Sequence, residues 1–390
     1  MSFTPCHMFR FKGKTVYIIS LERWGLMKIS KHHYALELAH RGCRVYFIEP
    51  PELSQDGVHI RACVDHPSIS IVNYRPIFRG KRFLPPFLFS LLVRLQVRRL
   101  LRVIGHPPDV VWCFQAFLFQ DLRAFGAPVN IFFAADHFGS PGIPPELTSA
   151  DLILAVSETI HRRIVSHGFP ARLINHGLQR AFLERAERRL AEGSAKSLPE
   201  RPVIGYSGNM RIETIDRASM LQVIRSHPGL RFVFWGSYKP NDLNLFGLTD
   251  EATESFLRDL QALPNVELRG AVSSDELAAE MQEVDILWIC WRFNDLPNRD
   301  NSNSHKILEY LSTGIPVISH AVQAYEGSGL LYMLPMDRAD DFPSFFSRTL
   351  AEVTEGEDPA LFRRRIAHAL DNTYVRQVDR IESMLNGEGE

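Results

Sequence analysis

Residues 301–319 read NSNSHKILEYLSTGIPVIS, and this stretch predicts a short helix followed by a buried strand. The helical stretch 305–313 is followed by Gly314, which suits the left-handed position after a helix, and by Pro316, which prevents the helix from continuing. Residues that favour a helix N-cap precede it, namely Ser302, Asn303 and Ser304. The local sequence therefore bounds this helix at both ends.

The start of this helix has the chemistry of a phosphate-binding site. A helix N-terminus offers free N–H groups and a positive dipole end, and Lys306 adds a cation in the first turn. A lysine there is unfavourable for the helix itself, which suggests another partner such as a diphosphate. Glu309 lies on the same side, where a carboxylate can accept both hydroxyls of a ribose. The alternative is a solvent-exposed Lys–Glu pair on an amphipathic helix.

The rest of the chain alternates strands with helices, which predicts an α/β fold. Strands apolar on both faces imply parallel sheets covered on both sides. The apolar runs that predict strands are 15–19, 44–48, 109–113, 129–134, 151–155, 203–206, 231–235, 265–269, 285–289 and 315–319. The helical stretches are 30–41, 117–125 and 157–167, with a helical tail over 340–385.

Changes in composition predict the domain organisation. We expect two doubly wound, Rossmann-like domains facing a cleft, where open α/β sheets bind ligands, with helices at the C-terminus. The predicted divisions are an N-terminal domain over 1–180, a connection over 181–202, a C-terminal domain over 203–370 and a terminal helix over 371–390 that packs back on the N-terminal domain.

Composition excludes several classes of protein. Among 390 residues, 45% are apolar and 23% charged, which is typical of a soluble globular protein. The net charge of −1 excludes an overall basic field for binding nucleic acid, so we expect no nucleic-acid partner. The five cysteines form no Cys-x-x-Cys pair, and no signal peptide or membrane-spanning run is evident. These features predict a cytoplasmic protein.

Several stretches together resemble a known family. The string K-x-x-E-Y-L-x-x-G-x-P-V-I-S, residues 306–319, resembles the donor-binding motif of GT-B glycosyltransferases, specifically of family-4-like and teichuronic-acid-type bacterial enzymes. Four further stretches resemble motifs of that family in the same order: RVYFIEPP (44–51), ADLILAVSETI (150–160), INHGLQRAFL (174–183) and IGYSGNM (204–210). The resemblance covers roughly residues 14–320 and implies transfer of a sugar from a nucleotide-diphosphate sugar to an acceptor hydroxyl.

The resemblance implies a role for individual residues of the C-terminal domain. Gly208 and Asn209 would lie where backbone N–H groups approach the donor phosphates, and Arg211 would add charge there. Glu309 would hold the ribose. The residues implied to hold the diphosphate are Ser304, His305 and Lys306.

The N-terminal domain would bind the acceptor, a sugar or a lipid-linked molecule. Asp136 closes the apolar run NIFFAAD and is the candidate general base, because a sugar hydroxyl is a poor nucleophile; His137 is the second candidate. Helix capping or a salt bridge is the alternative role of Asp136. The predicted acceptor contacts are Arg23, Trp24 and His33.

Two departures from the family pattern bear on the chemistry. Retaining family-4 enzymes carry a second glutamate eight residues before the one matched by Glu309, and Asn301 stands there, which favours an inverting reaction. The chain has no Asp-x-Asp motif, so we expect no metal ion and no other cofactor. The alternatives are a nucleotide-sugar 2-epimerase on the same fold and a non-catalytic sugar-nucleotide-binding protein. The family implies a role in bacterial surface polysaccharide or lipopolysaccharide synthesis.

Residues 79–102, RGKRFLPPFLFSLLVRLQVRRLLR, hold seven basic residues and no acidic one. A basic amphipathic helix of this kind can lie on an anionic leaflet, which would place the protein peripherally on the inner face of the plasma membrane. The alternative is a packing helix whose arginines are solvated.

Overall fold

The computed structural model describes residues 8–78, 85–135, 138, 142–193, 197–240, 247–292, 303–335, 338 and 341–388. The chain divides into two compact units. The first comprises the residues up to Trp24, Lys28–Asn175 and the residues from Tyr374 onward; the second comprises Gly25–Met27 and His176–Thr373. The changes of unit after Asn175 and Thr373 lie near the predicted boundaries after residues 180 and 370.

The first unit is built on an eight-stranded sheet. Its strands are β1 (Thr15–Ile19), β2 (Arg44–Ile48), β3 (Val58–Ala62), β4 (Ile69–Tyr74), β5 (Val110–Cys113), β6 (Val129–Ala134), β7 (Leu152–Ala155) and β8 (Ala171–Leu173). They lie in the order β3-β4-β2-β1-β5-β6-β7-β8, and all neighbours are parallel except the antiparallel pair β3–β4. The strands that the sequence predicted, β1, β2, β5, β6 and β7, are largely buried and apolar on both faces, as expected.

The α-helices described in the first unit are α1 (Ser30–His40), α2 (Pro86–Ile104), α3 (Glu158–Ser166) and α11 (Tyr374–Leu385). Helix α11, at the end of the chain, packs against α1. The Tyr374 ring stacks on His33 with a centroid separation of 5.1 Å, and Arg41 forms an ion pair with Asp379 at 2.6 Å. Among the described helices none is both long and apolar enough to cross a membrane.

The second unit is a six-stranded, wholly parallel sheet. Its strands are β9 (Val203–Ser207), β10 (Arg231–Trp235), β11 (Val266–Gly270), β12 (Ile286–Ile289), β13 (Val317–His320) and β14 (Tyr332–Leu334), in the order β11-β10-β9-β12-β13-β14. Its helices are α4 (Arg180–Glu192), α5 (Arg217–Ser226), α6 (Glu251–Ala262), α7 (Ser274–Glu280), α8 (His305–Ser312), α9 (Phe342–Glu355) and α10 (Pro359–Asp371). Helix α4 thus occupies much of 181–202, which the sequence predicts to be a connection.

Successive side chains along the strands of this second sheet pack alternately into two separate hydrophobic cores. Phe232 and Phe234 of β10 belong to one core, together with residues of α5, α6 and α9. Val233 and Trp235 belong to the other, together with residues of α7 and α8. Because successive side chains of a strand point to opposite faces, this division requires helices on both sides of the sheet. The predicted doubly wound arrangement is therefore confirmed for this unit.

The predicted helix over 117–125 is wrong. Only Leu122–Phe125 forms a turn of 3₁₀-helix, and Phe117 and Gln120 have the positive φ angles 62° and 57°. The buried carboxylate of Glu146 accepts the backbone N–H groups of Phe117, Phe119 and Gln120 at 3.0–3.1 Å. This carboxylate replaces the intrahelical acceptors, so the segment does not need helical hydrogen bonds.

Candidate functional site

Strand β9 lies at the point where the order of the second sheet reverses. The chain moves outward through β10 and β11, then returns to the other side of β9 and continues through β12, β13 and β14. In open α/β sheets ligands bind beyond the carboxyl ends of the strands at such a point. Helix α8 connects β12 to β13 and therefore begins at this edge. Its bounds agree with the predicted 305–313 to within one residue, and Gly314 has the predicted left-handed φ of 74°.

Lys306 is buried beside the end of β9. Its Nζ atom donates a hydrogen bond to the Ser207 carbonyl at 2.8 Å and lies 3.5 Å from the Tyr206 hydroxyl. The same atom is 4.7 Å from the centroid of the Tyr206 ring and 5.2 Å from that of Trp291. Burial lowers the pKa of this amine to about 8, although the Glu309 charge raises it. Only 8% of the residue is exposed, so the solvated Lys–Glu pair is excluded.

Glu309 is also buried, one turn further along α8. Its Oε1 atom accepts a hydrogen bond from Nε2 of Gln179 at 2.7 Å. Burial raises the pKa of the carboxyl to about 7, while the bond from Gln179 and the charge of Lys306 act in the opposite direction. Lys306 and Glu309 therefore present a cation and a titrating carboxyl at the same sheet edge, each bonded to a different neutral group.

Gly208 makes room for the lysine. A Cβ atom at this position would lie 2.5 Å from Nζ of Lys306, and the φ of 145° is one that other residues rarely adopt. The backbone N–H of Gly208 donates to the Trp235 carbonyl at 2.8 Å. The predicted contact of this N–H with a phosphate would therefore require that bond to open.

Two other residues predicted in this loop are engaged by the protein. Oδ1 of Asn209 accepts the backbone N–H of Arg211 at 2.9 Å. The Arg211 guanidinium is buried; it donates to the Leu248 and Tyr238 carbonyls at 2.9 and 3.1 Å and pairs with Glu254. Arg211 therefore joins the loop to the segments that contain Tyr238, Leu248 and Glu254.

Ser304 and His305 form the start of α8. Ser304 is the N-cap in an extended conformation; its carbonyl accepts the Ile307 N–H at 3.1 Å, and its side chain makes no capping hydrogen bond. The half-buried His305 ring lies 6.0 Å from the ring of His176. Burial, with the charges of His176 and Lys306, lowers the pKa of His305, so it is a neutral neighbour of the lysine at pH 7.

The structure adds residues that sequence reasoning missed. Tyr206 and Trp291 flank the lysine amine, and Gln179 binds Glu309. The Tyr310 hydroxyl accepts the Ser207 N–H at 2.7 Å and so fixes the end of β9 against α8. Gln179, Tyr206 and Tyr310 lie within the stretches that resemble the family, so the sequence could have indicated them as site residues. Trp291 follows a predicted strand and lies in none of these stretches, so nothing in the sequence indicated its role.

In the first unit, the predicted base residues Asp136 and His137 lie outside the described residues, two and three positions after β6 ends at Ala134. The predicted acceptor contacts are described. The backbone N–H of Trp24 donates to Glu49 at 2.8 Å and its indole N–H to Asp65 at 2.6 Å, so this side chain is anchored in the protein.

The two other predicted acceptor contacts are Arg23 and His33, and each has a different partner from Trp24. Arg23 is half exposed and pairs with Glu52 at 3.1 Å. His33 is buried on α1, where it stacks on Tyr374 of α11. Within the part of the chain that the structure describes, no three His, Cys, Asp or Glu side chains come together as a metal site. Metal independence stays a prediction.

Comparison of the sequence with protein-family models and with curated proteins gives no match. The structure is similar to many solved structures. An α,α-trehalose-phosphate synthase (UDP-forming) from Burkholderia vietnamiensis aligns with a TM-score of 0.65 at 12% identity, over 96% of this chain and 100% of that chain. A sucrose-phosphate synthase from Thermosynechococcus elongatus aligns with a TM-score of 0.61 at 14% identity, over 96% of this chain and 98% of that chain. WaaG, a glycosyltransferase involved in lipopolysaccharide biosynthesis, aligns with a TM-score of 0.59 at 13% identity, over 95% of this chain and 100% of that chain.

At these identities the similarity establishes the fold, which is the GT-B fold of glycosyltransferases. The predicted fold class is therefore confirmed. The finer resemblance to family-4-like and teichuronic-acid-type enzymes stays a prediction.

Proposed function

We propose that this protein is a glycosyltransferase that binds a nucleotide-diphosphate sugar through its second unit and transfers the sugar to an acceptor hydroxyl. The observation that carries the proposal is the buried amine of Lys306 at the end of β9. An ammonium group has three donors, and burying it without an anion is costly. Among the described residues this amine bonds to uncharged oxygens and has no ion-pair partner. A diphosphate would supply the missing negative charge.

The proposed donor site combines three elements. Lys306 and the first N–H groups of α8 bind the diphosphate, because a helix N-terminus and an ammonium both favour phosphate oxygens. Glu309 accepts hydrogen bonds from the ribose hydroxyls, with Gln179 holding its Oε1 atom in place. As the bond to the sugar breaks, negative charge grows on the leaving diphosphate, and Lys306 stabilises that charge. This arrangement performs the role that a metal ion has in other enzymes, so the proposed reaction needs none.

The acceptor side of the proposal rests on the sequence. Asp136, or His137 in its place, removes the proton from the acceptor hydroxyl as the hydroxyl attacks the sugar. Retaining family-4 enzymes have a second glutamate at the position where this chain has Asn301, and its absence favours inversion at the sugar carbon. Arg23 is the most exposed of the three predicted acceptor contacts and is the one we retain. We further propose a sugar or lipid-linked acceptor in bacterial surface polysaccharide or lipopolysaccharide synthesis, carried out in the cytoplasm.

A two-stage experiment tests this function. In the first stage, the melting temperature of the protein is measured with UDP, GDP, ADP and their glucose conjugates. Selective binding raises the melting temperature in proportion to the logarithm of ligand concentration. If no nucleoside diphosphate raises the melting temperature at millimolar concentration, the proposal is wrong.

In the second stage, release of the nucleoside diphosphate from the selected donor is measured with and without candidate acceptors, and the sugar products are separated. Acceptor-dependent release with a new glycoside supports the transferase. A changed sugar without an added acceptor identifies the epimerase, and tight binding without turnover for any acceptor identifies a non-catalytic binding protein.

A further inference from the structure

Helix α2 exposes one face that is apolar in its first half and basic in its second half. Phe87, Leu91 and Leu95 are 76%, 52% and 41% exposed. Three arginines continue the same exposed face: Arg94, Arg98 and Arg102. With 3.6 residues per turn, all six positions fall within a sector of about 100°. The opposite face of the helix is buried in the core of the first unit, where it contributes side chains such as Val93, Val97 and Leu100.

The charge of this region is strongly segregated. The chain as a whole has 44 basic and 45 acidic residues, yet no acidic residue occurs between Asp65 and Asp109. Arg94 lies 3.8 Å from Asp121. Within the described part of the chain, Arg98 and Arg102 have no ion-pair partner. These two arginines therefore keep their charge available at the surface beside the exposed apolar residues.

The fold does not account for the composition of this face. The buried side of α2 already supplies the apolar contacts that hold the helix on the sheet, and an exposed Phe87 gains nothing from folding. Single exposed apolar residues are ordinary, but here three lie on successive turns of one face. A partner of this face must accept apolar side chains and, on the same plane, carry a dense negative charge.

We propose that this face of α2 docks the protein on an anionic lipid bilayer. Phe87, Leu91 and Leu95 enter the boundary between headgroups and acyl chains, while Arg98 and Arg102 bind lipid phosphates. Guanidinium groups match phosphate oxygens well, and their long stems let the charge reach the headgroups while the helix lies in the interface. At 1.5 Å per residue, Phe87 and Arg102 are about 22 Å apart along the axis, so the helix lies along the surface and does not span it.

Vesicle flotation with the full-length protein tests this proposal. We expect binding to vesicles of phosphatidylglycerol and phosphatidylcholine in equal parts, little binding to phosphatidylcholine alone, and loss of binding at high salt, where charges are screened within about 3 Å. Replacing Arg98→Gln and Arg102→Gln together should weaken partitioning roughly 30-fold, because each basic residue near an anionic surface contributes about fivefold. Replacing Phe87→Ser and Leu91→Ser together should weaken it at least about tenfold.

Matched controls come from the same unit. Val64→Ser removes an apolar side chain that is 94% exposed, and Arg162→Gln removes an arginine that is 62% exposed. Both controls should float like the original protein, and all variants should keep its melting temperature, since every changed side chain is exposed.

Three results would overturn the proposal. The first is that the protein does not float with anionic vesicles at low salt. The second is that the control variants lose as much vesicle binding as the α2 variants. The third is that sedimentation velocity without lipid shows a dimer that Phe87→Ser dissociates. The last result would assign the face to self-association. None of these results depends on the nucleotide-sugar proposal, because flotation requires neither donor nor turnover.

Discussion

Replacing Lys306 by methionine removes the charge at the proposed donor site while keeping an unbranched side chain against Tyr206 and Trp291. A charge-assisted hydrogen bond contributes about 1.5–3 kcal/mol, so we expect the dissociation constant for a nucleoside diphosphate to rise about 10- to 150-fold. Fold stability should change little or increase. A pKa of about 8 for Lys306, against the ordinary 10.5, means that keeping the buried amine charged at pH 7 costs about 3 kcal/mol.

The same substitution should change the pH profile of binding. The Lys306 amine is charged below about pH 8, so affinity for a diphosphate should fall as the pH rises above that value. The Glu309 carboxyl is ionised above about pH 7, so affinity should also fall below that value, where it loses a ribose acceptor. Lys306→Met should abolish the fall at high pH. Glu309→Gln should reduce the fall at low pH, and the remainder comes from the terminal phosphate of the ligand, which itself gains a proton at about pH 6.

Stability should respond to pH in a related way. Because the pKa of Lys306 is lower in the folded protein, the unfolded chain binds more protons between pH 8 and 10.5. Over that range, the free energy of unfolding should rise with pH more steeply in the original protein than in the methionine variant.

Isothermal titration calorimetry with the nucleoside diphosphate selected by the melting-temperature screen provides the measurement, repeated from pH 6 to 10 in buffers of matched ionic strength. Lys12→Ala, an exposed lysine of the first unit, is the control and should bind like the original protein. An affinity of Lys306→Met within about twofold of the original, with the pH profile unchanged, would refute the phosphate role. Urea unfolding at the same pH values separates that outcome from a loss of folded protein.

Two further substitutions follow from the structure and the sequence. Gly314→Ala should lower the free energy of unfolding by at least about 2 kcal/mol, because a Cβ there would lie 2.4 Å from the Phe362 ring at a φ of 74°. Gly126→Ala is the control: its φ of 75° is similar, but no atom lies within 4 Å of the added Cβ, so it should cost only about 1 kcal/mol. Urea unfolding measures both. Equal costs at the two glycines would contradict the packing argument. Asp136→Asn should lower the rate of acceptor-dependent turnover at least about 100-fold while donor affinity stays the same, and unchanged turnover would remove Asp136 as the base.

Local sequence was sufficient for most of the secondary structure near the site. The bounds of α8 were predicted from residues that favour an N-cap, a left-handed glycine and a proline, all within a few positions of the helix ends, although the side chain of the N-cap Ser304 makes no capping hydrogen bond. The central strands follow from apolar runs. Strand β3, VHIRA, was missed because it is mostly exposed and alternates polar with apolar residues, so it lacks the run that marks a buried strand. Its antiparallel partner β4, ISIVNY, was also missed although it is mostly buried.

Burial and long-range partners were decided only by tertiary structure. Lys306 and Ser207 are 99 residues apart, and Gln179 and Glu309 are 130 residues apart. The spacing of Lys306 and Glu309 fits an exposed ion pair as well as a buried site, and Arg211 fits a phosphate ligand as well as a structural tie. A side chain's surroundings depend on which segments the sheet order brings beside it, so a local pattern can specify a helix but not the groups that its side chains meet.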